Sequence, residues 1–242
     1  SIYQERFADV ANFEFYIVGD ISPEVLKPLL AKYIASIEGI KRKESFKDNT
    51  VAWVSNKIDK DVFLKMETPK SSVKIQYLED FTFNQKNRII SAFLGDILTL
   101  RYTESLREQE GGTYGARVSS SLNKLPKPTA SLSIAFDCDV NKVEYLLPLV
   151  YQEIEKIKKG EIINEDLEKT RTNFIKSRKD SKDFNSYSMD LTYNYFKNNY
   201  NMDDHENYID IVNAVNEKDI QDFANSFLKK AKVYEVVYKP LL

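Results

Sequence analysis

The 242-residue chain is 42% hydrophobic and 12% aromatic, enough to bury a real core as one large domain or one domain plus part of another. Charged residues make up 30%, yet the formal net charge is −2, with Lys and Arg scattered among Asp and Glu. That balance argues against a nucleic-acid binder, which presents a basic face, and no stretch approaches the roughly 20 apolar residues that cross a bilayer.

Phe13-Glu-Phe-Tyr-Ile-Val18, an aromatic and β-branched run ended by Gly19-Asp20, predicts a strand. Ser22-Pro23-Glu24 then supplies an N-cap, a first-turn proline and an acid at the positive helix end. Leu26, Leu29, Leu30, Tyr33 and Ile37 continue at helical spacing. Residues 38–50 are polar and aperiodic, which suits a linker. Val62 to Met66 and Val73 to Leu78 predict two strands. A helix is expected from Asn84 to Glu110, with Ile90, Phe93, Leu94, Ile97, Leu98, Tyr102 and Leu106 on one stripe and Gly111-Gly112 ending it. Tyr114 to Leu122 and Ala130 to Phe136 form the next strand pair. Val143, Leu146, Leu147, Val150, Ile154 and Ile157 mark a helix that Pro148 should kink or interrupt. Residues 164–200 are helical in pattern and rich in tyrosine. Two short helices follow, the second capped by Asn216, and Val233 to Tyr238 closes the chain as a strand.

Strand pairs alternating with long helices, without a βαβ repeat, predict an α+β fold: a mostly antiparallel sheet with helices packed on one face. Arg6 to Phe13 and Ser226 to Val233 share a pattern of helix end, short break and apolar strand. Residues 1–37 are accordingly expected to be the tail of a preceding homologous domain, 38–56 a linker and 57–242 the following domain. The start at Ser1 without Met suggests a processed fragment, and nothing selects between periplasm and cytoplasm.

Candidate chemistry is sparse. The single histidine, His205, sits in Asp203-Asp-His-Glu206, where a surface role at a helix start outweighs a metal site. Cys138, the one cysteine, ends an apolar alternation and is expected to be a buried thiol. No Gly-x-Ser-x-Gly elbow or phosphate loop is present. The segment that stands out is Leu106-Arg-Glu-Gln-Glu-Gly-Gly-Thr-Tyr-Gly115. Arg107 in the last helical turn and Tyr114 at the strand start could converge, a guanidinium to grip carbonyls and a phenol to donate to a developing oxyanion. Equally, Arg107 could cap the helix end and Tyr114 could fill core.

This segment is similar to one in the C-terminal domains of pitrilysin/insulinase-type zinc peptidases, an Arg with a Tyr seven positions on. Phe15-Tyr-Ile-Val-Gly-Asp20 with Ser22-Pro-Glu resembles the close of a preceding domain in that family, and Ser133-Ile-Ala-Phe-Asp-Cys-Asp139 resembles the passage after the Arg/Tyr segment. The resemblance implies a C-terminal fragment of an endopeptidase that degrades peptides in a clamshell chamber. It implies substrate binding by Arg107 and Tyr114 and an oxyanion role for Tyr114. The family's zinc motif, H-x-x-E-H, is absent from this sequence. No metal ligand or cofactor is therefore expected in this chain, and zinc is expected in the N-terminal half of the parent protein. The alternative is a zinc-free peptide-binding or scaffold subunit. Expected partners are a peptide substrate and the N-terminal zinc-bearing half or a partner subunit. If residues 1–37 have lost their usual neighbours, Phe13, Phe15, Ile17 and the Leu26/Leu30 stripe must pack elsewhere on the chain or against a neighbour, giving a homo-oligomer.

Overall fold

The structure, a computed structural model, describes all residues except 8, 40–44, 46, 50, 52–56, 110–112 and 242, and omits the side chains of Arg6, Glu108, Gln109 and Tyr114. In chain order the elements are α1 (Ile2–Phe7), α2 (Pro23–Tyr33), β1 (Lys57–Leu64), β2 (Ser71–Asp80) and α3 (Gln85–Tyr102). A π-helical turn, Thr103–Gln109, is followed by β3 (Thr113–Asn123) and β4 (Thr129–Cys138). A 3-10 turn, Val140–Lys142, leads into α4 (Val143–Lys159), α5 (Asn164–Ser181) and α6 (Asn185–Phe196). Then come α7 (Met202–Glu206), α8 (Tyr208–Ala214), α9 (Glu217–Leu228) and β5 (Lys232–Pro240). The chain divides into two compact units, residues 1–51 with 179–200, and residues 52–178 with 201–242.

In the first unit α2 starts as its sequence dictates, the Ser22 hydroxyl accepting from the Val25 N–H at 3.4 Å. Residues 13–18, expected as a strand, form none. A strand needs a neighbour to complete its ladder of backbone bonds, and no strand pairs with this run among the described residues. Tyr16 instead meets the Tyr193 ring of α6 edge-on, 5.6 Å between ring centres, with Phe196 at 6.4 Å. Glu14 accepts from the Tyr16 hydroxyl and pairs with Lys197 at 3.2 Å. The Glu14 bond pushes the Tyr16 phenol up to about 12. Phe13, Phe15, Ile17, Val25 and Leu29 stay exposed, Leu26 and Leu30 are half-buried, and α2 buries no residue fully. The linker read at 38–56 lies mostly outside the described residues.

The second unit is built on one five-stranded sheet in the order β1-β5-β2-β4-β3, among the described residues. β1 pairs with β5 in parallel and every other pairing is antiparallel, so the sheet is mostly antiparallel. Alternation puts Val73, Ile75 and Tyr77 of β2 in one inward layer with Leu132, Ile134 and Phe136 of β4. α3 covers that face with its predicted stripe, from Ile90 to Leu106, buried throughout. α4 and α9 lie beside it, and Tyr102 ties α3 to α4 by donating to the Val150 carbonyl at 3.2 Å.

The helix ends are satisfied by side chains, as buried backbone groups require. Asn216 and Asp219 form a reciprocal capping box on α9. Gly160 ends α4 in the left-handed region at φ 83°, and Asn225 donates to the Lys158 carbonyl at 2.8 Å. Arg171 donates to the Val212, Asn213 and Val215 carbonyls and so closes α8. Three expectations need correction. α4 runs through Pro148 uninterrupted, because the one backbone bond lost there falls near the helix start, on Glu144. The tyrosine-rich stretch is two helices, α5 and α6, broken at residues 182–184. Three helices, not two, precede β5.

Gly95 sets the spacing between α3 and β3. A Cβ built there would lie 3.0 Å from the Ser120 Cβ and 3.2 Å from its backbone nitrogen. One turn away the Ser91 and Ser120 hydroxyls bond at 2.9 Å. Gly95→Ala raises helix propensity by about 1 kcal/mol but drives a methyl into strand backbone, an overpacking cost of about 1–3 kcal/mol. The expected outcome is a net loss of stability in urea unfolding, opposite in sign to the propensity gain.

Candidate functional site

Leu106, fully buried, anchors the turn that carries the predicted site residues. From Thr103 to Gln109 the helix winds as a π-helix, a form that is rare and recurs at functional sites. Arg107 lies in this turn, exposed and in no ion pair among the described residues. Gly111-Gly112, read as the helix stop, lie outside the described residues.

β3 then starts with an irregularity. Thr113 pairs with Cys138 and Ala116 with Phe136, so three steps on β3 face two on β4. The extra residue is a β-bulge at Tyr114-Gly115, a device that bends a strand and re-aims its side chains. Gly115 has φ 148°, a region closed to L side chains, although nothing lies within 4 Å of a Cβ there. The Thr113 hydroxyl holds the bulge by donating to the Asp137 carbonyl at 2.6 Å and accepting from the Gly115 N–H at 3.3 Å. Beside it Lys70 and Ser72 bond the Asp137 carboxylate, at 2.7 and 2.5 Å, and hold it below its ordinary pKa. Tyr114 is thus placed on the bulge; its side chain is outside the described set.

The donors expected to be metal-free do not fit a zinc ion. Arg178 donates to His205 Nδ1 at 2.7 Å and to its carbonyl at 3.1 Å. The same guanidinium nitrogen lies 3.2 Å from Nε2, so a cation already sits against both ring nitrogens. Cys138 is buried, and desolvation, then Asp139 and Asp137, push its thiol up to about 11. A metal needs the thiolate. Among the described residues no group of three or more His, Cys, Asp or Glu could hold a metal ion.

Sequence reasoning missed a cavity of about 620 Å³ where α4 crosses the β1/β5/β2 end of the sheet. Tyr77, Leu147, Tyr151, Val233 and Glu235 line it. Glu235 is 6% exposed and accepts a short bond from the Tyr151 hydroxyl. Desolvation first, then the Glu235 bond, hold the Tyr151 phenol far above its ordinary range, and burial does the same to Tyr77. The signal was present as a carboxylate at the inward register of Val233-Tyr-Glu-Val-Val-Tyr238, between two valines.

The sequence model of the peptidase M16 inactive domain matches residues 1–174. The chain belongs to this family. The resemblance to pitrilysin/insulinase-type peptidases is thereby borne out, as is the mostly antiparallel fold expected of it. The chain is 27% identical over 160 residues to "Probable zinc protease PqqL" of Haemophilus influenzae, covering 66% of this chain and 17% of that one. The M16 inactive-domain chain therefore spans under a fifth of that relative's length. Its fold matches the periplasmic protease PqqL of Escherichia coli with a TM-score of 0.74 at 17% identity, over 92% of this chain and 25% of that one. It matches the ferredoxin protease FusC, solved in complex with Arabidopsis ferredoxin, with a TM-score of 0.74 at 16% identity, over 94% and 25%. No helix among the described residues is long and apolar enough to cross a membrane.

Two outcomes are expected for this M16 inactive domain. Gly115→Ala lowers stability by about 1–3 kcal/mol in denaturant unfolding, the cost of a forbidden backbone region rather than of a clash. Thermal melting of the 242-residue chain is unchanged by stoichiometric zinc or by a chelator; a shift with either reveals a metal site on this chain.

Proposed function

We propose that this chain is the C-terminal, non-zinc portion of a zinc metalloendopeptidase that degrades peptides within a clamshell chamber. The zinc of such a peptidase is expected in the N-terminal half of the parent. The observation that carries the reading is the clustering of a π-helical turn, a β-bulge and a positive-φ glycine around Arg107 and Tyr114, in a chain of the M16 inactive-domain family. Irregular backbone of this kind costs stability and recurs where side chains must be aimed.

In this mechanism Arg107 grips the substrate backbone. Its guanidinium is a planar fork of donors that suits peptide carbonyls, and it is exposed with no ion pair among the described residues. Tyr114 donates its hydroxyl proton to the carbonyl oxygen as that oxygen gains negative charge. The apolar surface left on the first unit, including Phe13, Phe15 and Leu29, is covered by the rest of the parent or by a second copy. Residues 1–37 are the tail of a preceding homologous domain in the same reading. A zinc-free peptide-binding or scaffold subunit is the second reading. Zinc content of the full-length parent separates the two.

Kinetics of the full-length parent test the site. Tyr114→Phe is expected to lower kcat about tenfold to a hundredfold with little change in KM, since its bond strengthens only in the transition state. Arg107→Ala is expected to raise KM, with melting unchanged within roughly 0.5 kcal/mol as for other exposed positions. Wild-type kinetics in both variants discard the assignment. A melting loss in Arg107→Ala with unchanged KM makes the residue structural.

A further inference from the structure

The cavity under α4 is built for charge, although it lies in the layer where the sheet elsewhere is apolar. Asp59 on β1 stands in register with Glu235 on β5, so the two carboxylates share one face of adjacent strands. Glu144 on α4 joins them at the rim, against the single cation Lys57. Like charges side by side on neighbouring strands repel, and a buried carboxylate without a cation is costly. Exposed charges on an edge strand guard against edge pairing, which accounts for Lys57, Asp59 and Asp61 on β1, all three exposed. It does not account for Glu235, which is on an inner strand and 6% exposed.

A second, independent observation lies beside it. Tyr77 is 6% exposed and lines the cavity, and no hydrogen bond of its hydroxyl is present among the described residues. Burial keeps this phenol neutral, so its oxygen is available to accept an N–H. Leu147, Pro148 and Val233 supply apolar wall. A metal ion is not the fit, since no group of three suitable side chains converges among the described residues.

We propose that this cavity binds an organic cation with an apolar stem, the alkylammonium head of a lysine side chain in a polypeptide, with Glu235 and Asp59 as counter-charges and Tyr77 as acceptor. An ammonium offers three donors to convergent acceptors, and its methylenes lie along the apolar wall. The site uses neither Arg107 nor Tyr114, so it stands apart from the peptidase reading. Its occupant is a basic residue of a bound chain.

NMR titration of the 242-residue chain tests this. The probes are Nα-acetyl-lysine-N-methylamide, its uncharged norleucine counterpart, and n-butylammonium. Saturable shifts at Tyr77, Val233 and Glu235 with the lysine probe are expected, weakened by added salt. Norleucine should give none. Glu235→Gln keeps an acceptor for Tyr151 while removing the charge, and is expected to weaken binding about tenfold or more. Tyr77→Phe removes a hydroxyl that the fold does not use, and is expected to weaken binding about threefold to tenfold. It decides the matter if Glu235→Gln does not fold. Tighter binding of the lysine probe than of n-butylammonium assigns the site to a polypeptide residue; equal binding assigns the same chemistry to free amines. Equal shifts from norleucine, unaltered affinity in the folded variants, or no saturable shift at these residues overturns the proposal.

Discussion

The close seating of α3 on β3 at Gly95 is the contact from which the rest of the second unit follows. With no side chain between helix and strand, Ser120 meets the helix backbone directly. The stripe from Ile90 to Leu106 is then pressed into the layer formed by β2 and β4. The π-helical winding of Thr103–Gln109 follows α3 directly, and the bulge at Tyr114-Gly115 falls at the start of β3. A widened turn and an extra strand residue absorb length that a regular helix and ladder would carry, and they do so where Arg107 and Tyr114 sit.

The two halves of the sheet carry different burdens. Toward β3 and β4 the inward layer is mostly apolar and packed, with buried hydroxyls that are either bonded, as between Ser91 and Ser120, or without a bond, as at Ser71. Toward β1 and β5 the layer holds a carboxylate, two tyrosines and a cavity. The cavity opens to the surface, with Lys57, Asp59, Glu144 and Pro148 exposed, while Glu235 is buried there as a carboxylate, against the apolar rule for interiors. Proteins tolerate such violations where a site needs them.

The first unit shows the same physics from the side of incompleteness. Its helix α2 has a proper cap and an amphipathic sequence, yet buries no residue fully. Residues 13–18 have the composition of a strand without a partner to pair with. Tyr16 and Glu14 hold the segment to α6 and its C-cap through two ring contacts and one ion pair, modest interactions beside a full sheet ladder. In the proposed full-length peptidase the missing neighbours belong to the remainder of the parent.

What the sequence determined by itself was whatever depends on neighbours three or four residues away. The stripe of α3, the Asn216 cap of α9, the Ser22-Pro23 start of α2 and the alternation in β4 are local signals, and each is present in the structure. The Leu106–Gly115 segment also announced itself, through its residues and its family resemblance. Tertiary structure alone decided the rest, because pairing and register are settled by distant residues. Thr103-Glu-Ser-Leu-Arg-Glu-Gln109 reads locally as ordinary helix and winds as π; the bulge exists only against β4; residues 13–18 lose their strand for want of a partner. Glu235 and Tyr151 are 84 residues apart and meet only because β5 enters the sheet between β1 and β2 beneath α4. A carboxylate among valines was visible in the sequence, but the cavity that gives it meaning was made by the packing of a helix onto a sheet.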